Sequence, residues 1–302
     1  MCPLCGSSFN ALSENGNSLI CAKNNHCFDI AAKGYVNFIP NQKQESLQYS
    51  KKLFESRASV FEAGVYDAVI EQISNVISSK FYLNSAMELN NQSDMDDKQI
   101  DKKTGTSNAS VKNTKYNLLD VGCGEGYYAA KLSEKPELNV FGIDIIKEAI
   151  IASCKKKVPV KWMVADLTKI PMESESVDVL LNVLTTANYD EFKRVLKKDG
   201  IIVKVIPGSD YLKEIREIVK SELHNKEYSN ESVVELFKRH VELLDIRTVN
   251  YKFPVDEHLF RQTMHMTPLT SGVDLDGLEL EKNFKPAHIT IDLQILTGKL
   301  LG

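Results

Sequence analysis

The sequence lacks any long hydrophobic run and any excess of positive charge. No apolar stretch in its 302 residues approaches the roughly 18 residues that a membrane span needs, so we expect no membrane partner. No charged segment with an apolar core and a small-residue cleavage site opens the chain, which favours a cytoplasmic protein. The net charge of -4 and the isoelectric point near 5.9 do not indicate a general nucleic-acid binder, because phosphate contacts draw on clustered Lys and Arg.

What is present has the length and composition of a globular protein with about two domains. The composition changes along one segment to mostly Asn, Ser, Asp, Lys and Thr, without periodic apolar residues. This composition indicates an insertion that is either disordered or a plain surface loop. Before it, apolar residues at helical spacing predict two helices over 46–82, broken at Gly64. The predicted segments are a zinc-binding module (1–40), a helical linker (41–83), the insertion (84–115) and a catalytic domain (116–302).

Four of the six cysteines lie within the first 27 residues, at spacings typical of a structural zinc site. Cys2 and Cys5 are close enough to sit on one turn, and Cys21 opens the second half of the site. The fourth ligand is either His26 or Cys27. We favour His26 and expect Cys27 to be a small buried thiol. Two disulfides are the alternative, but nothing sends this chain to an oxidising compartment. A closed site of four ligands leaves no open position for a catalytic zinc.

After the insertion, strand and helix patterns alternate, which predicts a mostly parallel sheet with helices on both faces. The predicted strands are 117–121, 140–144, 160–165, 177–184 and 201–206. The predicted helices are 125–134, 146–156, 188–196, 211–223 and 231–239. Two further β-rich segments, 241–253 and 288–297, are expected to pair as an antiparallel edge. The fold class is therefore α/β.

The motif Asp120-Val121-Gly122-Cys123-Gly124-Glu125-Gly126 ends the first of these strands and opens a helix. Its glycines allow positive φ and a close approach of backbone to a ligand. The third Gly comes one position earlier than in a dinucleotide fingerprint, and Glu125 at the helix start would repel a diphosphate. A cofactor with a positive charge and no phosphate suits these acids better, and S-adenosylmethionine is such a cofactor.

Two more acids end the next strands. Asp144 follows the second strand and can accept hydrogen bonds from both ribose hydroxyls, while Asp166 follows the third and can meet the adenine amino group. Each acid alone is more commonly a helix cap, but together they lie where open α/β sheets bind ligands. The candidate cofactor-binding residues are Asp120, Gly122, Gly124, Glu125, Gly126, Tyr127, Asp144, Asp166 and Leu167.

These residues and several further segments resemble bacterial 23S ribosomal RNA (guanine-N1)-methyltransferases of the RlmA type. The matching segments are the zinc module ending in Gly34-Tyr35-Val36-Asn37, Arg57 to Tyr66 with Gly64, Leu119 to Tyr128, Ala187-Asn188-Tyr189, Glu191 to Leu196, Pro207-Gly208, Leu212-Lys213-Glu214 and Met266-Thr267-Pro268. The combination of zinc module and glycine turn is the specific part. The resemblance implies a Rossmann-like methyltransferase sheet with a zinc-ribbon-like module, a hairpin of large-subunit ribosomal RNA as partner, and a homodimer.

The chain departs from the family pattern on the side expected to receive the acceptor. The departures are Thr185-Thr186, Ser209-Asp210-Tyr211 and Leu269-Thr270-Ser271. Asn182 or Thr185 are candidates to contact a flipped base and Tyr211 to stack on it, although each such residue is more commonly a packing or capping residue. No residue is identified as the general base.

Methyl transfer to N1 of a guanine in ribosomal RNA is therefore the leading hypothesis. A diverged paralogue that methylates another acceptor, either a small molecule or another RNA, is the first alternative, and the acidic net charge favours it slightly. A non-catalytic RNA-binding relative is the second, and the departures are its only support. Binding to an isolated ribosomal hairpin and incorporation of methyl groups would separate these three hypotheses.

Overall fold

A computed structural model describes residues 1–13, 16–39, 51–93, 115–219, 229–273, 275 and 287–301. Its strands are β1 (Phe9–Leu12), β2 (Ser18–Cys21), β3 (Cys27–Asp29), β4 (Tyr35–Asn37), β5 (Tyr116–Val121), β6 (Leu138–Asp144), β7 (Val160–Val164), β8 (Val177–Val183), β9 (Leu196–Pro207), β10 (Val241–Pro254) and β11 (His288–Leu300). Its helices are α1 (Lys51–Glu62), α2 (Asp67–Ser93), α3 (Tyr127–Leu132), α4 (Lys147–Cys154), α5 (Tyr189–Val195), α6 (Lys213–Ile218), α7 (Glu231–His240) and α8 (Glu257–Met266).

The central sheet has eight strands in the order β10-β11-β9-β8-β5-β6-β7-β4. Strands β4 to β9 run parallel to their neighbours, and β11 joins β9 and β10 in antiparallel pairing. This confirms the α/β class and the antiparallel pair at the edge. The inner parallel strands are nearly continuous apolar runs because both of their faces are covered.

Side chains of successive strand residues enter two different hydrophobic layers. Leu118 packs in the layer that contains α1, α2, α3 and α8, whereas the next residue, Leu119, packs in the layer that contains α5, α7 and the N-terminal module. The carboxyl ends of β5 to β9 lie between these layers, and the loops that follow them form the edge at which open α/β sheets bind ligands.

The N-terminal module is continuous with the sheet. Its strands β1, β2 and β3 form a small antiparallel sheet, but β4 pairs with β7 in parallel, with Tyr35 opposite Trp162. Phe28 and Phe38 of the module pack in the same layer as Leu119. The last strand of the module predicted at 1–40 therefore belongs to the large sheet.

Two helices follow the module, and Gly64 lies between them with a φ of 78°. This confirms the predicted helices and their break. Helix α2 continues to Ser93, so residues 84–93 of the insertion predicted at 84–115 are helical. Its residues 94–114 lie outside the described part of the chain. No helix in the described part is both long and apolar enough to cross a membrane.

Candidate functional site

The glycine turn, residues 122–126, connects β5 to α3. Gly122, Gly124 and Gly126 have φ values of 67°, 55° and 72°, a region that side chains with a Cβ rarely adopt. A Cβ at Gly122 would lie 2.6 Å from Oγ1 of Thr185, and one at Gly126 would overlap the ring of Trp162. The turn therefore needs glycine both for its conformation and for its space.

Asp144 at the end of β6 fixes this turn. Its Oδ2 accepts a hydrogen bond from the backbone nitrogen of Gly124 at 2.8 Å, and its Oδ1 accepts one from the nitrogen of Ile146 at 2.8 Å. Burial raises the pKa of the Asp144 carboxyl above its usual range, although these two bonds oppose the shift. Each oxygen retains a second lone pair, so the carboxylate can still accept hydrogen bonds from a diol.

Asp120 is the penultimate residue of β5, directly before the turn, and is almost fully buried. Its Oδ2 has no hydrogen-bond partner among the described residues, and burial raises its pKa to about 8. The negative charges of Asp144 and Glu125 contribute to this raised pKa, and a backbone hydrogen bond with Ala129 opposes it. A buried carboxyl oxygen without a partner is costly and indicates that something outside the described residues satisfies it. A polar ligand at the turn fits this requirement.

Glu125 does not offer a free charge to a cofactor, which corrects its predicted role. The Nε atom of Arg57 lies 2.9 and 2.8 Å from its two carboxylate oxygens, and Glu125 is 3% exposed. A carboxylate this deeply buried needs a counter-charge, and Arg57 supplies it from α1. The Arg57 guanidinium also lies over the turn, 3.3 Å from the place where a Cβ on Gly124 would be.

Tyr127 and Tyr211 are occupied by protein contacts. The hydroxyl of Tyr127 donates to Oδ1 of Asp67 at 2.7 Å and its ring stacks on Phe61. Tyr211 is buried in the core, and its hydroxyl shares a hydrogen bond of 2.7 Å with that of Tyr66. The prediction that Tyr211 stacks on a base is therefore corrected, because a ring this deeply buried presents no open face.

Asp166 and Leu167 follow β7 at the same edge of the sheet, and both are half-buried. Oδ1 of Asp166 accepts a hydrogen bond from the nitrogen of Thr168 at 2.8 Å, which forms a local turn. The other carboxylate oxygen stays available to a ligand amino group.

The β8–α5 loop, residues 184–188, lies against the glycine turn through Thr185. Asn182 at the end of β8 is fully buried, and both ends of its amide are used: Nδ2 donates to the carbonyl oxygen of Thr186, and Oδ1 accepts from Nζ of Lys204. The expectation that Asn182 contacts a base is therefore corrected, since it supports the loop. Thr185 is half-buried beside Gly122.

The four predicted metal ligands come together in the N-terminal module. One ligand atom from each of Cys2, Cys5, Cys21 and His26 lies within 4.8 Å of all the others. The Sγ atoms of Cys5 and Cys21 are 3.7 Å apart, close to the roughly 3.8 Å between two sulfur ligands of a tetrahedral zinc. All six cysteines are free, and the donor set fits zinc. Cys27 is exposed, so its predicted burial was wrong.

Two residues at this edge were missed as site residues by sequence reasoning. Arg57 precedes the glycine turn by far too many residues for any spacing rule to join them. Lys204 gave a weak signal that could have been noticed, because a lysine inside the apolar run Ile201–Ile206 of a central strand must be buried.

The sequence matches two family models and is similar to several known proteins. Residues 1–47 match the family model described as "RlmA, N-terminal", and residues 119–204 match "Methyltransferase domain". The chain is 33% identical to "Putative 23S rRNA (guanine-N(1)-)-methyltransferase YxjB" of Bacillus subtilis, over 98% of this chain and 95% of that one. It is 21% identical to the "23S rRNA (guanine(748)-N(1))-methyltransferase" of Streptomyces fradiae, over 92% and 87%. The solved YcgJ protein of Bacillus subtilis superposes with a TM-score of 0.44 and 18% identity, over 63% and 94%.

Proposed function

Because this chain belongs to the family of the RlmA-type (guanine-N1)-methyltransferases, which are S-adenosylmethionine-dependent enzymes with an N-terminal zinc ribbon, we propose that it methylates N1 of a guanine in large-subunit ribosomal RNA. The observation that carries the proposal is the likeness to YxjB over nearly the whole chain, together with the glycine turn held by Asp144. A match confined to the catalytic domain would not have indicated which molecule accepts the methyl group.

In this proposal the residues around the glycine turn bind the cofactor. When bound, S-adenosylmethionine supplies an electrophilic methyl group on a positively charged sulfur. Asp144 accepts hydrogen bonds from its ribose hydroxyls, and Asp166 with the backbone of Leu167 meets its adenine. Arg57, which already lies over Gly124, is placed to bind the cofactor's carboxylate. Arg57 would then pair with two carboxylates, that of Glu125 and that of the cofactor, where it now pairs with one.

The acceptor must reach this site as a single nucleotide, because base pairing hides N1 of guanine. The protein then has to align N1 with the methyl carbon and accept the N1 proton as the new N–C bond forms and the S–C bond breaks. The β8–α5 loop is the acceptor side of the site in this proposal. We assign no residue as the general base.

The zinc module forms the other half of the proposal. We propose that Cys2, Cys5, Cys21 and His26 hold one zinc ion, which stabilises a module too small to fold on its own core. Elemental analysis of protein purified without chelator should give one zinc per chain. His26→Ala should lose the metal while Cys27→Ala keeps it. The opposite pattern would show that Cys27 is the fourth ligand.

Ribosomal RNA from a strain that lacks the gene provides the direct test of the function. The purified protein should transfer one labelled methyl group to this RNA, and mass spectrometry should place it on N1 of a guanine. Asp144→Ala should abolish labelling at low cofactor concentration, while the exposed control Asp190→Ala should not. Absence of labelling on any large-subunit RNA would reject the proposal, and labelling of a small molecule would favour the diverged paralogue.

The family resemblance also supports a homodimer that works in the cytoplasm, where ribosomes are assembled. Sedimentation of the zinc-loaded protein, alone and with an isolated ribosomal hairpin, would test the assembly. A monomer that binds the hairpin with full affinity would contradict the dimer without affecting the proposed reaction.

A further inference from the structure

Lys204 is a buried lysine at the acceptor side of the site for which neither the sequence motifs nor the family models suggest a role. It lies on β9, is 4% exposed and has no carboxylate within ion-pairing distance among the described residues. Burial lowers the pKa of its amine to about 8. An unpaired buried lysine is unfavourable for folding, so its presence calls for another explanation.

The contacts of Lys204 converge on the β8–α5 loop. Its Nζ donates to Oδ1 of Asn182 and, at 3.1 Å, to the carbonyl oxygen of Thr185. Asn182 in turn donates to the carbonyl oxygen of Thr186 at 2.9 Å. One ammonium group therefore anchors two successive carbonyls of the loop, one directly and one through an amide.

The anchored segment is strained at one residue. Leu184 has a φ of 51°, in the left-handed region that non-glycine residues avoid, and its backbone nitrogen bonds to the carbonyl of Val205 at 3.0 Å. Its side chain is 41% exposed, although it is large and apolar. A strained backbone persists only where neighbours hold it, and such strain is concentrated at functional sites. The next residue, Thr185, touches the glycine turn.

We propose that Lys204 is a positioning residue for methyl transfer, which holds the β8–α5 loop so that Leu184 offers an apolar contact to the acceptor base beside the glycine turn. This inference rests on the proposed function, because it assigns the loop to the acceptor. It requires an apolar, planar acceptor surface such as the face of a purine. In this role Lys204 acts through the loop and does not contact the reacting atoms.

Lys204→Met tests the inference in the full-length, zinc-loaded protein, since methionine keeps most of the length of the side chain and removes its donors. Lys198→Met is the matched control, because Lys198 is an exposed lysine of the same strand. Hydrogen exchange should become at least tenfold faster at residues 184–188 in Lys204→Met and stay unchanged in the control. Exchange in the glycine turn should not change. Unaltered exchange at 184–188 would overturn the inference whatever the activity.

Turnover separates a positioning role from a purely structural one. Lys204→Met should lower kcat by ten- to a hundredfold, leave the Kd of S-adenosylmethionine within twofold, and be partly rescued by Lys204→Arg. Leu184→Gly, which removes an exposed side chain and relieves the left-handed backbone, should lower kcat about tenfold without lowering Tm. A Lys204→Met enzyme with normal kcat, or one that loses cofactor affinity in parallel with kcat, would overturn the inference alone. An inactive wild type would overturn the proposed function and this inference with it.

Discussion

The glycine turn and the β8–α5 loop touch each other at one edge of the sheet, and both contain left-handed backbone, but they are built by different means. In the turn, three glycines adopt positive φ at no steric cost, and the carboxylate of Asp144 at the end of the next strand accepts a hydrogen bond from the backbone nitrogen of Gly124. In the loop, Leu184 adopts positive φ against its preference and is held by a buried lysine from a neighbouring strand. The turn is therefore visible in a short sequence motif, whereas the loop depends on a tertiary contact that no motif records.

Gly126→Ala should have the largest effect of these substitutions, because it disrupts the glycine turn itself. The added Cβ overlaps the ring of Trp162 and also strains the backbone, so we expect a loss of about 2–4 kcal/mol in stability and of measurable cofactor binding. Gly272→Ala is the control, because Gly272 also has positive φ but nothing within 4 Å of its Cβ. Trp162 is the single tryptophan, so its fluorescence reports on both unfolding and binding. A tolerated Gly126→Ala would show that the turn does not need glycine.

Asp144→Ala should have the next largest effect. Removing a charged acceptor should weaken S-adenosylmethionine binding by about 1.5–3 kcal/mol, measured by calorimetry without RNA. Part of that loss would come from the freed nitrogen of Gly124, which Asp144→Asn would still satisfy through its amide oxygen. If both variants bind like the wild type, Asp144 merely ends its strand.

Asp120 makes the stability of the glycine turn depend on pH between about 4 and 8. Its pKa of about 8 in the folded protein lies above the ordinary value of 3.8, so the folded state binds a proton that the unfolded state releases between these values. The free energy of unfolding should therefore fall as pH rises from about 4 to about 8, by at most about 1.4 kcal/mol per pH unit. Asp120→Asn should remove this slope in urea titrations of the cofactor-free protein. A slope that survives in the variant must arise from other groups.

Leu184→Gly should have the smallest effect on stability. Relief of a left-handed leucine, worth about 1–2 kcal/mol, is largely offset by the greater freedom of glycine in the unfolded chain. We expect the free energy of unfolding to rise by less than about 1 kcal/mol in thermal or urea unfolding. A clear loss of stability would show that the Leu184 side chain is needed for packing, and the two loops would then differ less than proposed.

The cofactor edge could be predicted from the sequence because its parts are short-range. The motif from Asp120 to Gly126 occupies seven consecutive residues, and Asp144 and Asp166 each lie at or just after the end of a strand whose pattern is clear. The four metal ligands likewise fall within one short segment. Such features depend on the spacing of residues along the chain, which can be read directly from the sequence.

What could not be predicted depends on where distant residues meet. The aromatic ring of Tyr211 suggested stacking on a base, yet the core encloses it against Tyr66. The composition after Asn84 suggested a loop, but α2 continues to Ser93. The counter-ion of Glu125 comes from a helix with no sequence relation to the turn. For Tyr211 and Glu125 a long-range contact decides the role, and local composition carries no record of it.

The pairing of β4 with β7 gives the chain an order of assembly. Trp162 is synthesised roughly 130 residues after Tyr35, and the sheet edge beside the zinc module is complete only when the strands of these two residues have paired. At about 5–20 residues per second, that partner emerges on the order of ten seconds after the metal ligands. During this interval the module has its cysteines and its metal but an unpaired strand edge, which is the kind of edge that invites wrong pairing. Early zinc binding would keep the module compact through this delay, so metal supply during translation would affect the yield of folded enzyme more than metal supply afterwards.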